Sequence, residues 1–95
     1  PNKIAVFPLS KKELLQKMAQ EIYHNLKKDW AVQYDEASSI GKRYRRQDEI
    51  ATPYCVTVDF QSLEDKKVTI RDRETMKQER ISINILKNWF QEKFS

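Results

Sequence analysis

Hydrophobic residues change their spacing along the chain, and each spacing predicts a type of element. Residues 3–9, KIAVFPL, form a nearly continuous apolar run, which is typical of a strand covered on both faces. Ser10 and Glu13 then have the spacing of a capping box, so we expect a helix to begin at Ser10. Apolar residues recur at every fourth position through that helix. They predict one apolar stripe made up of Leu14, Met18, Ile22 and Leu26, with Leu15, Ala19 and Tyr23 beside them.

Three later runs have the composition of strands. Trp30–Tyr34, Tyr54–Phe60 and Glu79–Ile83 are rich in aromatic and β-branched residues, and the middle run is the most β-prone in the chain. Between the first two runs, residues 39–50 predict a short helix that is capped by a serine. A closing helix, capped by Ser82 or Asn84, should bury the apolar side formed by Ile85, Leu86, Trp89, Phe90 and Phe94.

Residues 67–73, KVTIRDR, alternate between polar and apolar side chains after a predicted turn at residues 62–66. Because strand side chains alternate with period two, Val68 and Ile70 should face one side, with Arg71 and Arg73 on the other. The element order is therefore β-α-β-α-β-β-β-α. This order predicts an α/β fold: a mostly parallel sheet, helices on both faces, and an antiparallel hairpin after the third strand.

The residue types argue against several classes of function. The one histidine, His24, lies on the polar margin of the first helix, and the one cysteine, Cys55, lies in a predicted strand, where a buried, inert thiol is expected. The single glycine, Gly41, excludes glycine-rich phosphate loops. No apolar segment has the length of a membrane span, and the lone cysteine favours a reducing, intracellular setting. No catalytic or metal-binding pattern is present, so binding is the predicted function.

Positive charge is concentrated in two stretches of a chain whose net charge is +4. Residues 40–50 and 66–80 contain the whole excess of positive over negative charge, and such clustering is typical of a surface that binds a polyanion. Two separated basic elements favour a bent, single-stranded nucleic acid, with Tyr44 and Phe60 as stacking platforms. The alternative is a solvated surface of ion pairs, in which Arg45 and Arg46 pair with Glu49 and Arg71 pairs with Glu79.

Five segments of the chain match a known family: IAVFPL at 4–9, SIGKRYRRQDEI at 39–50, TPYCVTVDF at 52–60, LEDKKVTIRDRETM at 63–76 and the closing ISINILKNWF. From end to end, the chain resembles the C-terminal anticodon-binding domain of glycyl-tRNA synthetase, of the dimeric class II type. The resemblance implies a three-layer α/β/α fold, with three helices flanking a five-stranded mixed sheet of order 2-1-3-4-5 whose fourth strand is antiparallel. It also implies that residues 1–95 are a single domain from the C-terminus of a longer synthetase.

In that family, the domain grips the anticodon stem-loop of the glycine tRNA, so the resemblance implies that the two basic stretches converge on one rim of the sheet. The domain alone would be non-catalytic and would need no cofactor. The parent enzyme would use ATP and Mg²⁺ in the cytoplasm as a homodimer, whereas the isolated domain would be a monomer that does not bind membranes. The tRNA-binding residues implied by position are Lys42, Arg43, Arg46, Gln47, Arg71, Arg73, Glu74 and Thr75, with Asp59 and Phe60 at the neighbouring strand end.

One residue departs from the family pattern. The family usually has glycine where this chain has Ala51, at a helix end that is commonly left-handed. Alanine costs about 1 kcal/mol there if the conformation is kept. Two alternatives stay open: an accessory-subunit domain of the mitochondrial DNA polymerase type, which has the same fold and binds protein and DNA, and a free-standing enzyme built on Cys55. The intact KRYRR and RDRETM segments favour the synthetase.

Overall fold

The computed structural model describes residues 2–36, 42, 45, 47 and 51–95. Lys42, Arg45 and Gln47 are helical, in agreement with the predicted mid-chain helix, whose remaining residues lie outside the described part. A short 3₁₀ turn, Ile83–Ile85, precedes the last helix. The strands and helices, in chain order, are β1 Ile4–Pro8, α1 Glu13–Leu26, β2 Val32–Tyr34, β3 Tyr54–Val58, α2 Phe60–Asp65, β4 Lys67–Asp72, β5 Gln78–Ser82 and α3 Leu86–Phe94.

The five strands form one mixed sheet in the order β2-β1-β3-β4-β5. β1 pairs in parallel with both β2 and β3, and β4 is antiparallel to both of its neighbours, β3 and β5. This arrangement confirms the predicted strand order and the predicted antiparallel fourth strand.

The two faces of the sheet carry separate groups of buried side chains. Val56 and Ile70, which are paired across β3 and β4, belong to the larger core on what we call the first face. There the sheet packs against α1 and α3, because each helix presents an apolar stripe. Ala5, Phe7 and Cys55 form a smaller cluster on the second face. The helical residue Gln47 also lies on the second face, since its side chain bonds to Gln33 of β2.

The predicted start of the first helix is wrong, and so is part of its buried stripe. α1 begins at Glu13 with Lys12 as its N-cap, and no side chain caps it. Ser10 Oγ instead accepts a hydrogen bond from the Lys12 amide at 3.3 Å. Leu14 is 64% exposed. At 3.6 residues per turn, a strict spacing of four drifts by about 40° at each step, so the face that stays in line is Leu15, Ala19, Ile22 and Leu26.

The predicted turn at residues 62–66 is replaced by the helix α2, so β3 ends at Val58 rather than at Phe60. Asp59 caps α2: its carboxylate accepts from the Ser62 amide at 3.0 Å, and Ser62 Oγ accepts from the Asp59 amide at 3.1 Å. Asp59 and Ser62 therefore form a capping box, the motif that was predicted instead at Ser10 and Glu13. Lys66 ends the helix in the left-handed conformation, with φ 57°.

The closing helix buries the predicted side except at one residue, but its predicted cap acts on the 3₁₀ turn before it. The Ser82 hydroxyl accepts from the Asn84 amide at 3.3 Å and so caps the 3₁₀ turn, whereas α3 has Ile85 as its N-cap and no side-chain cap. Leu86 and Phe90 are buried, with Trp89 and Phe94 packed against the core, but Ile85 is exposed because it belongs to the 3₁₀ turn. Among the residues that the structure describes, no helix combines the length and the apolar character needed to cross a bilayer.

Candidate functional site

The predicted site residues are divided between two edges of the sheet. Because β4 is antiparallel to β3, with Tyr54 opposite Asp72, the residues that follow β4 lie where β3 begins. Asp59 and Phe60 follow the other end of β3, beside the start of β4. A six-residue strand is roughly 17 Å long, so Phe60 does not lie at a strand end neighbouring Arg73, and that expectation is corrected. We call these the turn edge, which carries Arg73, and the carboxyl edge, which carries Phe60.

At the turn edge, residues 72–77 form a closed turn, which we call the arginine turn. The Asp72 amide donates to the Lys77 carbonyl, and the Met76 amide donates to the Asp72 carbonyl, both at 2.9 Å. The Asp72 carboxylate also accepts from the Glu74 amide at 2.8 Å. These bonds hold the tip of the turn open to solvent, where three predicted contacts are exposed: Arg73, Glu74 and Thr75.

Arg71 enters this edge from the second face of the sheet. It lies opposite Gln78, whereas Glu79 lies opposite Ile70 and therefore on the first face. The predicted pairing of Arg71 with Glu79 is thus wrong. The Arg71 guanidinium is instead 2.9 Å from the Met76 sulfur, in the arginine turn. This contact holds the Arg71 guanidinium of β4 close to the arginine turn.

A cleft of about 320 Å³ lies beside the arginine turn on the first face. The Tyr54 ring is one wall of the cleft, and burial, with the nearby charges of Asp72 and Glu74, raises the pKa of its phenol. Aromatic surface beside cations and carboxylates can hold an unstacked base, because rings stack on its face and charged groups bond to its edge. The residues that line the cleft are Ala51, Pro53, Tyr54, Asp72, Arg73, Glu74, Lys93 and Phe94.

The residues that follow the mid-chain basic stretch lie at the same edge. Ala51 and Pro53 line the cleft, and the Pro53 carbonyl accepts from the Arg73 amide at 2.9 Å. Lys42 and Arg45 are exposed on the helical part of this stretch. The predicted contacts Arg43 and Arg46, the platform Tyr44 and the ion pairs of Arg45 and Arg46 with Glu49 lie outside the described residues.

Gln47, another predicted contact, is fully buried. Its Oε1 accepts from the Thr52 hydroxyl at 2.7 Å, and its Nε2 donates to Gln33 at 3.4 Å. The side chain therefore faces the sheet rather than solvent.

At the carboxyl edge, the predicted contact Asp59 has structural partners. Besides capping α2, its carboxylate lies 3.1 Å from Arg80, whose Nη2 is 3.0 Å from both carboxylate oxygens of Asp65. Burial alone would raise the pKa of Asp65, but bonds to the Lys67 amide and to Arg80 leave that pKa lowered on balance. Two carboxylates thus bind Arg80, although Arg80 was one of the cations of the predicted basic stretch at residues 66–80. Phe60 is 51% exposed beside this cluster.

The one histidine and the one cysteine lie where the sequence predicted them. His24 is exposed and Cys55 is 2% exposed. In the described ranges, no three histidine, cysteine or acidic side chains are grouped as ligands for a metal ion. The structural residues that sequence reasoning missed are Arg80 and Ser62. The Asp-x-x-Ser spacing of Asp59 and Ser62 was the available signal.

Comparison with protein families finds a match to the model of the anticodon binding domain over residues 3–93. Among similar relatives, the glycine–tRNA ligase of Ruminiclostridium cellulolyticum is 62% identical over 94 residues, which are 99% of this chain and 20% of the relative. That of Clostridium kluyveri is 56% identical over 93 residues, 98% of this chain and 20% of the relative. The chain spans about a fifth of the length of the curated relatives it matches.

Solved structures share the fold. The RNA binding domain of threonyl-tRNA synthetase from Cryptosporidium parvum Iowa II has a TM-score of 0.86 at 25% identity, over 97% of this chain and 23% of that one. Prolyl-tRNA synthetase from Cryptosporidium parvum, complexed with halofuginone and AMPPNP, has a TM-score of 0.90 at 21% identity, over 97% of this chain and 20% of that one. At that identity, the likeness to the prolyl enzyme concerns the fold alone.

Proposed function

Because the chain belongs to the anticodon-binding domain family, we propose that it is the tRNA-recognition domain of a glycine–tRNA ligase. It binds the anticodon stem-loop of glycine tRNA, and the parent enzyme couples that recognition to attachment of glycine. The glycine assignment is supported by relatives that carry this name and are 62% and 56% identical. These comparisons lend no support to the accessory subunit of a DNA polymerase.

The observation that carries the proposal is that the arginine turn and the residues that follow the mid-chain basic stretch meet at the turn edge. The Arg73 amide is bonded to Pro53, and a cleft with an aromatic wall lies directly beside them. Guanidinium groups bond phosphate and base edges in a forked geometry, and rings hold bases that a loop has unstacked. An anticodon loop offers both phosphates and unstacked bases.

The parent enzyme would supply the chemistry that this domain does not carry out. In the proposal, ATP and Mg²⁺ belong to the parent's other domains, the parent works as a homodimer in the cytoplasm, and the isolated domain is a monomer. A size measurement of the isolated chain tests the last of these points.

The test is to titrate the 95-residue chain against a hairpin with the glycine anticodon loop and against one with a changed anticodon, at several salt concentrations. We expect tighter binding of the glycine hairpin. Its affinity should fall with salt at a log–log slope of about −0.7 for each neutralised phosphate of a single strand.

The control compares two double variants that remove the same charge. Arg71→Ala with Arg73→Ala should weaken binding and flatten the salt slope, because both cations are at the turn edge. Lys11→Ala with Lys17→Ala, exposed residues on the side of the carboxyl edge, should leave both nearly unchanged. Equal binding of the two hairpins, with no response to salt or to the arginine variants, would refute the proposal.

A further inference from the structure

The mid-chain basic stretch is attached to the sheet by buried polar side chains. Gln47 is 0% exposed and Thr52 is 1% exposed. The Thr52 hydroxyl donates to Gln47 Oε1 at 2.7 Å, and Gln33 Oε1 accepts from Gln47 at 3.4 Å and from Asn2 at 3.0 Å. Since a buried amide without partners is strongly disfavoured, this chain of bonds holds the Gln47 side chain in one place.

The backbone strengthens the same attachment. The Thr52 amide donates to the Gln47 carbonyl at 2.9 Å, and Ala51 between them is left-handed, with φ 61°. A bond over five residues with a left-handed residue before the donor is the pattern of a Schellman motif, which closes a helix end. Gln47 and Thr52 are therefore joined twice, at the point where the mid-chain stretch leads into β3.

The exposed cations lie on another side of the same helical stretch. Lys42 and Arg45 are three residues apart, which places them on one helical face. Gln47 is two residues beyond Arg45, about 200° around the helix. Since Lys42, Arg45 and Gln47 are all helical, a Gln47 side chain that faces the sheet agrees with the exposure of Lys42 and Arg45 to solvent.

We infer that Gln47 and Thr52 are positioning residues, whose buried contact sets Lys42 and Arg45 in the place from which they bind RNA together with the arginine turn. This inference rests on the proposed function. The sequence placed Gln47 among the RNA contacts, but a direct contact would require the side chain to leave its buried site. The role assigned to it here acts through the two cations.

The experiment compares four single variants of the 95-residue chain, which are Thr52→Val, Thr52→Ser, Gln47→Met and Ile81→Val. Thr52→Val keeps the shape of the side chain but removes the hydroxyl donor, Thr52→Ser keeps the donor, and Ile81→Val trims the core on the first face as a matched stability control. Each is made with and without Lys42→Ala plus Arg45→Ala. The dissociation constant of the glycine anticodon hairpin is measured over a range of salt concentrations, after thermal unfolding has confirmed that each variant is folded.

In the unaltered chain, Lys42→Ala plus Arg45→Ala should raise the dissociation constant on the order of tenfold and make the salt slope shallower by about 1. With Thr52→Val, the dissociation constant should rise about threefold to tenfold, and the same cation replacement should then add less than about twofold, because the cations are already misplaced. In the Thr52→Ser and Ile81→Val backgrounds, Lys42→Ala plus Arg45→Ala should raise the dissociation constant as much as it does in the unaltered chain. Gln47→Met, which removes the same contact from the other side, should behave as Thr52→Val does.

Two results would overturn the positioning role. If Thr52→Val and Gln47→Met only add to the cation effect, as Ile81→Val does, the contact is structural. If the cation replacement has no effect in the unaltered chain, the mid-chain stretch does not bind RNA. Neither result bears on the preference for the glycine hairpin over the changed one, so failure of the proposed function is seen separately, as loss of that preference.

Discussion

At the scale of single residues, Ala51 shows the cost of one backbone angle. Its φ of 61° confirms that the left-handed conformation is kept where the family usually has glycine. This conformation costs a non-glycine residue about 1–2 kcal/mol, while glycine loses about 0.4–1 kcal/mol through its freer unfolded chain. Ala51→Gly should therefore raise the free energy of unfolding by up to about 1.6 kcal/mol, measured by urea and thermal unfolding. A gain of 1 kcal/mol corresponds to about 4–8 °C in a domain of this size.

The matched control for Ala51→Gly is Ala31→Gly. Ala31 is also exposed, but it is not among the described residues with positive φ. Only the entropic cost of glycine acts there, so this variant should lose about 0.4–1 kcal/mol. If both glycine variants lost stability alike, the left-handed strain at Ala51 would be refuted.

At the scale of elements, the sequence predicted which segments are strands and helices better than where they begin and which side they bury. β1 and β3 were recognisable as nearly continuous apolar runs because they bury side chains on both faces of the sheet, and β4 was recognisable by alternation because it buries one face. The start of α1 was not, because Ser10 offered a cap that the backbone does not use. Leu14 and Leu15 are adjacent and equally apolar, and only the packing of α1 on the sheet distinguishes the exposed one from the buried one.

The helix α2 is tied to β4 and β5 by an acid-sensitive contact. Bonds to the Lys67 amide and Arg80 leave the pKa of Asp65 lowered from 3.8, despite the opposing effect of burial. A carboxylate with a lowered folded pKa stabilises the fold above its unfolded pKa, and this stabilisation is lost as pH falls through the folded pKa. Asp65→Asn should therefore be less stable than the unaltered chain at neutral pH, and the difference should shrink below about pH 4.

Urea unfolding of both chains at a series of pH values measures this difference. Glu64→Gln, at the exposed neighbour in α2, removes the same charge away from the Arg80 cluster and should follow the unaltered chain at every pH. A stability difference for Asp65→Asn that stayed constant through the acid range would show that the ionised carboxylate contributes nothing.

At the scale of the whole molecule, the composition of the candidate site was predictable but its geometry was not. Charge counting located both basic stretches. It could not show that Arg80 is held by Asp59 and Asp65, which lie 21 and 15 residues away in the chain. Nor could it show that Gln47, among cations in the sequence, points into the protein. Such facts depend on which strands are neighbours and on which face each side chain lies.

The separation of the two edges gives a sharp test of where RNA binds. If the anticodon loop sits at the turn edge, Arg73→Ala should raise the dissociation constant of the glycine hairpin about fivefold to tenfold and reduce the salt slope by about 0.7. Phe60→Ala, roughly 17 Å away at the carboxyl edge, should change the constant by less than about twofold.

Phe60 is a fair test because it is exposed and aromatic, as a stacking platform must be. A base stacked on it would contribute about 1–3 kcal/mol, which corresponds to at least a fivefold weakening on replacement by alanine. The Phe60 ring is not part of the buried core, so Phe60→Ala should leave the midpoint of thermal unfolding nearly unchanged. If Phe60→Ala weakened binding of the glycine hairpin as much as Arg73→Ala does, the RNA would extend across the sheet to the carboxyl edge. That result would contradict the assignment of the RNA site to the turn edge alone.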